Sequence, residues 1–243
     1  MAYLSSKNFM GFASTANNIM NSEIQYMDFL RDVFETLFDN IDTRDSIAKE
    51  YAYFTNSSVD IRNHDVTASA KDAFVFCFVE WLLANRSISF NGQLQPAALV
   101  YRAVCVQKPP VHLDIYVDSL KGTKLSMYKV MAINDMSQKI TIQDVLHNDK
   151  YVQSVSYSSL LPLLWKDEIL GLRLLTLDGK VQVGYGIFRF IKSIQEKVAD
   201  SLKKLAERHI RMGAGKDAVD SGVVQDRIIH DWVTQVKFME QQK

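Results

Sequence analysis

Three observations predict an α+β fold. Hydrophobic residues follow a helical period near both ends of the chain, they switch to a two-residue alternation between those ends, and an Asp-Gly pair joins two β-prone runs late in that middle region. The expected layout is one compact domain over residues 1–243. A central antiparallel sheet over about 97–186 is flanked by N-terminal helices within 10–90 and by two long C-terminal helices within 187–240.

The first helix is read from Ile24, Met27, Leu30, Phe34, Leu37 and Ile41, whose spacings of three and four place them on one face between Ser22 and Ile41. Ser22 and Gln25 have capping-box spacing at its start. A second helix over 43–54 turns Ile47, Tyr51 and Phe54 inward, and the short polar residues of "TNSSVDIRNHD" end it by competing for backbone hydrogen bonds. The apolar run "AFVFCFVEWLLA" at 73–84 falls well short of the roughly 20 residues a membrane span needs and contains Glu80, so it predicts a buried core helix over 68–84.

Asn91-Gly92 marks a turn, because both residues tolerate positive φ. A strand or short helix is expected at 97–107, ended by Pro109 and Pro110. In "VHLDIYVDSL", Val111, Leu113, Ile115 and Val117 alternate with His112, Asp114, Tyr116 and Asp118, which predicts a half-buried strand. Gly122 turns into a strand at 124–133, and 139–142 adds another. Around Asp178-Gly179 the sequence predicts a type I′ hairpin in which Leu174 faces Val183 and Thr176 faces Val181. From Ile187 the helical period resumes through Ile191, Ile194, Val198, Leu202 and Leu205; Val224, Ile228, Trp232, Val236 and Met239 mark the last helix.

Function classes are narrowed mainly by what the sequence does not contain. The Gly-Ala-Gly-Lys run at 213–216 follows a long helix rather than a strand, has Ile210 where a phosphate loop needs its first glycine, and has Asp217 where it needs a hydroxyl. It reads instead as a helix-ending loop, with Gly213 as cap and Asp220 or Ser221 starting the next helix. No nucleophile elbow, zinc-type cysteine pair or complete dinucleotide fingerprint is present. The weak catalytic candidates are His112, Asp114 and Asp118, which on a strand would project to one side and suit a metal-dependent hydrolase if a further ligand such as His147 joined them. The same row is also the ordinary wet face of an antiparallel strand, and no cofactor or metal is expected.

Charge layout is more informative. The chain carries 28 basic and 28 acidic residues, so any attraction to nucleic acid or to a membrane must be local. Residues 23–45 have a net charge of −5, with Asp28, Asp32, Glu35 and Asp39 forming one stripe; residues 189–216 have a net charge of +5, with Lys197, Lys204, Arg208 and Arg211 along one side. Like charges four apart cost a helix about 0.2–0.5 kcal/mol per pair, a cost that a partner surface of opposite sign offsets. Trp232 is either an interface anchor or part of the core under the last helix.

These features lead to a non-enzymatic structural or interaction protein that assembles through charged and amphipathic helices. Its partners would be copies of itself or other subunits, as in a virion or secretion apparatus. Nucleic-acid binding by the basic helix is the second choice and membrane binding is not expected. Cys77 and Cys105 lie in apolar runs and read as buried free thiols, and no signal-peptide pattern opens the chain, so a cytoplasmic protein, or one in a particle made in the cytoplasm, is expected.

Overall fold

The computed structural model describes residues 25–56, 68–147, 152–158, 164–214 and 222–240, with backbone only for 68–70, 213–214 and 237–240. Ser22, Ile24, residues 57–67, Gly215-Lys216, Asp217, Asp220, Ser221 and the side chain of Met239 lie outside the described residues. The fold is α+β, as expected, but its sheet is a closed five-stranded barrel rather than an open antiparallel sheet.

Helix α1 (25–39) packs with α2 (Arg44–Phe54) and α3 (Ala68–Asn85). Leu30, Val33, Leu37, Ile47 and Phe54 are buried, whereas Ile41 lies beyond the end of α1 and is exposed. The "SFNGQ" turn joins β1 (Ser87–Phe90) to β2 (Gln93–Pro96), with Asn91 and Gly92 at φ 50° and 73°, as a type I′ turn requires.

Within the region expected to be sheet, 97–107 takes the short-helix alternative as α4 (Ala97–Val104), and the strand expected at 111–118 is instead helix α5 (Val111–Leu120). The α5 sequence satisfies both periods. Leu113, Tyr116, Val117 and Leu120 are buried at helical spacing, while Val111 and Ile115 from the apolar side of the alternation are exposed. Tyr116, counted as polar in the alternation, decides between them, because its ring belongs in the core. Pro110 starts the helix, and its carbonyl accepts hydrogen bonds from Leu113 N and Asp114 N.

The barrel comprises β3 (Leu125–Asn134), β4 (Lys139–Asp144), β5 (Val152–Ser156), β6 (Ile169–Leu177) and β7 (Lys180–Val183). Neighbours run β3-β4-β5-β7-β6 and β6 returns to β3, which closes a Greek-key barrel. All pairings are antiparallel except β5 with β7, which are parallel and joined through the single pair Ser156 and Gln182. The β6–β7 hairpin has the expected register, Leu174 opposite Val183 and Thr176 opposite Val181, and Asp178 and Gly179 have φ 49° and 72°.

Two apolar layers follow from strand alternation. Tyr128, Val130, Ile140, Ile142, Leu170 and Leu172 fill the barrel interior. Leu125, Met127, Ile169 and Leu175, on the opposite faces of β3 and β6, pack into the helical layer. The expected helix from Ile187 begins later: β8 (Phe188–Arg189) first pairs with β6, and α6 runs Gln195–His209 before a π turn at Ile210–Ala214. Gly171 allows this approach, since a Cβ there would lie 2.9 Å from Phe188 Cβ. The last helix, α7, runs Gly222–Glu240.

Three buried glutamines tie these helices to the barrel. Gln195 accepts from Ile169 N and donates to the Phe190 carbonyl, Gln235 accepts from Ile191 N and donates to the Arg189 carbonyl, and Gln225 accepts from Leu125 N. Each satisfies strand-end backbone groups that burial would otherwise leave unpaired. Among the described residues, no helix is long and apolar enough to cross a membrane.

Candidate functional site

The three catalytic candidates are not on a strand. His112, Asp114 and Asp118 occupy α5, and both carboxylates bind Arg102 of α4: Nε to Asp114 Oδ1 at 2.7 Å and Nη2 to Asp118 Oδ1 at 2.8 Å. That guanidinium holds the charge a metal would need. His112 meets the Tyr26 ring edge-on, with centroids 5.8 Å apart, and His147 is bound to Asp144 at 2.8 Å at one end of the barrel. No group of three or more potential metal ligands exists among the described residues.

The acidic stripe of α1 has a definite setting. Asp28, Asp32 and Glu35 line a groove of about 740 Å³ between α1 and the loop joining α4 to α5, while Asp39 continues the exposed stripe past its end. Arg31 binds Asp28 at 2.6 Å and holds Asp72 through two 3.0 Å bonds, which anchors α1 to α3. Asp32 and Glu35 have no ion pair among the described residues. Across the groove stand the base Lys108 and the exposed Val106, 98% accessible. Cys105, also in this lining, is only half-buried, unlike the fully buried Cys77.

The basic surface lies on α6. Val198, Ala199, Leu202 and Ala206 face the core, leaving Lys197, Lys204, Arg208 and Arg211 exposed on the other side. The helix ends in two exposed apolar residues, Ile210 and Met212. Arg189 and Lys192 precede the helix rather than belonging to it, and Arg189 binds Glu168 at 2.8 Å. Among the described residues no ion pair joins the acids of α1 to the bases of α6. Trp232 is 4% exposed, its ring centroid 4.7 Å from Phe74 and 5.1 Å from Phe188, so it belongs to the core.

Sequence reasoning missed a buried polar centre between α3, α5 and the end of the β6–β7 hairpin. Glu80 of α3, 1% exposed, accepts hydrogen bonds from the Tyr116 hydroxyl and, at 2.6 Å, from Tyr185 N. Burial raises its carboxyl above the usual carboxylate range, opposed by the Tyr116 hydrogen bond, by the charge of Arg173 and by the Gly186 and Tyr185 amides. Arg173 is fully buried and donates to the Thr123 carbonyl; desolvation lowers its pKa to about 10, so it stays charged at neutral pH. Gly184 and Gly186 let the carboxylate approach, since a Cβ at either would lie under 3.0 Å from Glu80 Oε2. The available signals were a lone acid in an apolar run and the "GYG" after the hairpin, and each alone had a simpler explanation.

A second concavity opens at the barrel end, where β5 and β7 meet. It has a volume of about 320 Å³ and lies between the β3–β4 turn and the Asp178-Gly179 turn. Tyr26 forms its helical wall, stacked 5.7 Å from Tyr185. This chain matches no protein-family model, no curated protein and no solved structure.

Proposed function

We propose that this protein is a non-enzymatic assembly subunit in which the basic end of α6 from one copy seats in the acidic groove of another. The carrying observation is that the two oppositely charged surfaces are exposed and, among the described residues, make no ion pair with each other. Their apolar parts also correspond. The groove has acids on its α1 side and Val106, Pro109 and Pro110 on the other, and the end of α6 presents Lys204, Arg208 and Arg211 beside Ile210 and Met212. Charge sets orientation and encounter rate in such a contact, and the apolar rim supplies the burial that exposed ion pairs, at about 0–1 kcal/mol each, do not. Zero net charge removes long-range repulsion between copies.

Groove and helix are different patches, so the contact is heterologous. It closes into a ring or a reciprocal dimer, or it propagates as an open array, which suits a component of a larger particle. The test is absolute mass by light scattering after size exclusion. An oligomer is expected at low ionic strength that dissociates near 1 M salt, where the screening length falls to about 3 Å. Glu35→Lys and Arg208→Glu should each dissociate it, and the two together in one chain should restore it. A monomer of 27.7 kDa at both salt concentrations, or an oligomer unaffected by either reversal, refutes the proposal. A monomer that retains duplex DNA in a steeply salt-dependent manner would assign α6 to phosphate binding instead.

A further inference from the structure

We infer that the concavity at the barrel end is a binding site for a neutral saccharide. Its position follows from the barrel's weakest seam. The parallel β5–β7 pairing consists of Ser156 opposite Gln182 alone, so the two strands diverge there and leave a cleft rather than a continuous ladder. The cleft is bounded by two tight turns. The β3–β4 turn is held by Asn134, whose side chain accepts from Ser137 N, and Gln138 adopts φ 48°. The Asp178-Gly179 turn forms the other side. Tight turns on paired strands give the site a rigid frame, which lowers the ordering cost of binding.

The chemistry of the lining selects the ligand. Hydroxyls of Ser137 and Ser156 and the amides of Gln138 and Gln182 each carry both a donor and an acceptor, as a sugar hydroxyl does. Tyr157, its hydroxyl bonded to Asp135 Oδ1 at 2.7 Å, lines the cleft with a ring suited to the apolar face of a pyranose, and Tyr26, stacked on Tyr185, closes the helical wall. The charges in the cleft, Asp178 and Lys180, are one of each sign, which gives no net attraction for a phosphate backbone. A volume of about 320 Å³ is at the small end of ligand sites and fits one or two sugar rings, with more of a chain running over the polar outer face of Thr141, Gln143 and Ser154. Five-stranded Greek-key barrels bind both oligosaccharides and oligonucleotides on this region, so architecture does not choose between them and the neutral, hydroxyl-rich lining does.

The experiment is a printed array of neutral glycans, covering α- and β-linked hexose and N-acetylhexosamine oligomers, probed with the labelled full-length chain. Calorimetry with the best glycan follows at low and high salt, with a ten-residue oligothymidylate in parallel. Retention of at least one glycan is expected, with an affinity that does not change with salt and that Gln182→Ala and Gln138→Asn each weaken tenfold or more. Asparagine at 138 keeps the left-handed backbone while shortening the side chain. If no neutral glycan is retained, if both variants bind as the parent does, or if only the oligothymidylate binds and does so in a salt-dependent way, the inference is overturned. None of these outcomes depends on the oligomeric state of the chain.

Discussion

Replacing Gly186 with alanine tests whether the buried Glu80 centre ties the barrel to the helical layer. A Cβ at 186 would lie 2.9 Å from Glu80 Oε2, 3.0 Å from Cys77 Cα and 3.2 Å from the Phe76 carbonyl oxygen. Two of these three atoms are α3 backbone, which can retreat only by moving the helix. Overpacking of this kind costs about 1–3 kcal/mol. Shifting the carboxylate would also strand Tyr185 N and the Tyr116 hydroxyl, and a buried donor left unpaired costs about 1–3 kcal/mol. The expected total is about 4 kcal/mol, a large share of the roughly 5–15 kcal/mol by which proteins are stable. At about 2–4 °C per kcal/mol for a chain of this size, the melting temperature should fall by about 8–16 °C. Gly184→Ala is the matched control. There the three atoms nearest the new Cβ all belong to the Glu80 carboxylate, at 2.7 to 3.1 Å, and a side-chain end yields more easily than backbone, so about 2 kcal/mol is expected. Urea unfolding followed by circular dichroism and tryptophan fluorescence measures both. A Gly186→Ala cost under about 1 kcal/mol, or one smaller than that of Gly184→Ala, would refute the reasoning.

Two further outcomes follow. Glu80→Gln keeps the volume but puts an amide donor at the buried Oε2 position, which has no hydrogen-bond partner among the described residues, and should cost about 1–3 kcal/mol. The folded carboxyl is raised above its ordinary 4.5, so its contribution is fully present below that value and is lost as pH rises through the raised one. Glutamine does not titrate, so the cost of the substitution should be greatest in acid and shrink toward neutral pH; urea midpoints across that range that show it growing would contradict the assignment. Trp232→Ala should destabilise the fold by about 3–5 kcal/mol, since the ring is buried between Phe74 and Phe188, while leaving the light-scattering mass at native temperature unchanged. A change in assembly without loss of stability would return Trp232 to the interface.

Local signals were legible where one residue type determines the backbone. Asp178-Gly179 and Asn91-Gly92 specify type I′ turns because both positions need positive φ, and the former sets the β6–β7 register residue by residue. The stripes of α2 and α7, and the apolar run of α3, likewise produced the expected helices, because one apolar face fits one period. The acidic and basic surfaces were also readable, since exposed charge depends on composition and spacing alone.

Tertiary structure decided the rest. The α5 sequence fits a strand and a helix equally well, and burial of Tyr116 against Glu80 selects the helix. Sheet closure could not be read locally, because the β5–β7 seam and the return of β6 to β3 join residues far apart in the chain. The onset of α6 moved from Ile187 to Gln195 because β8 pairs with β6 over Gly171. The Glu80 centre gathers residues 80, 116, 173 and 184–186, each of which has an ordinary local explanation. Sequence by itself determined the turns, the amphipathic faces and the charge stripes, because these depend on neighbours within a few residues. Only the packed structure could decide which acids line a groove, which tryptophan is core and where a buried carboxylate finds its donors, because those depend on distances between segments that no local pattern encodes.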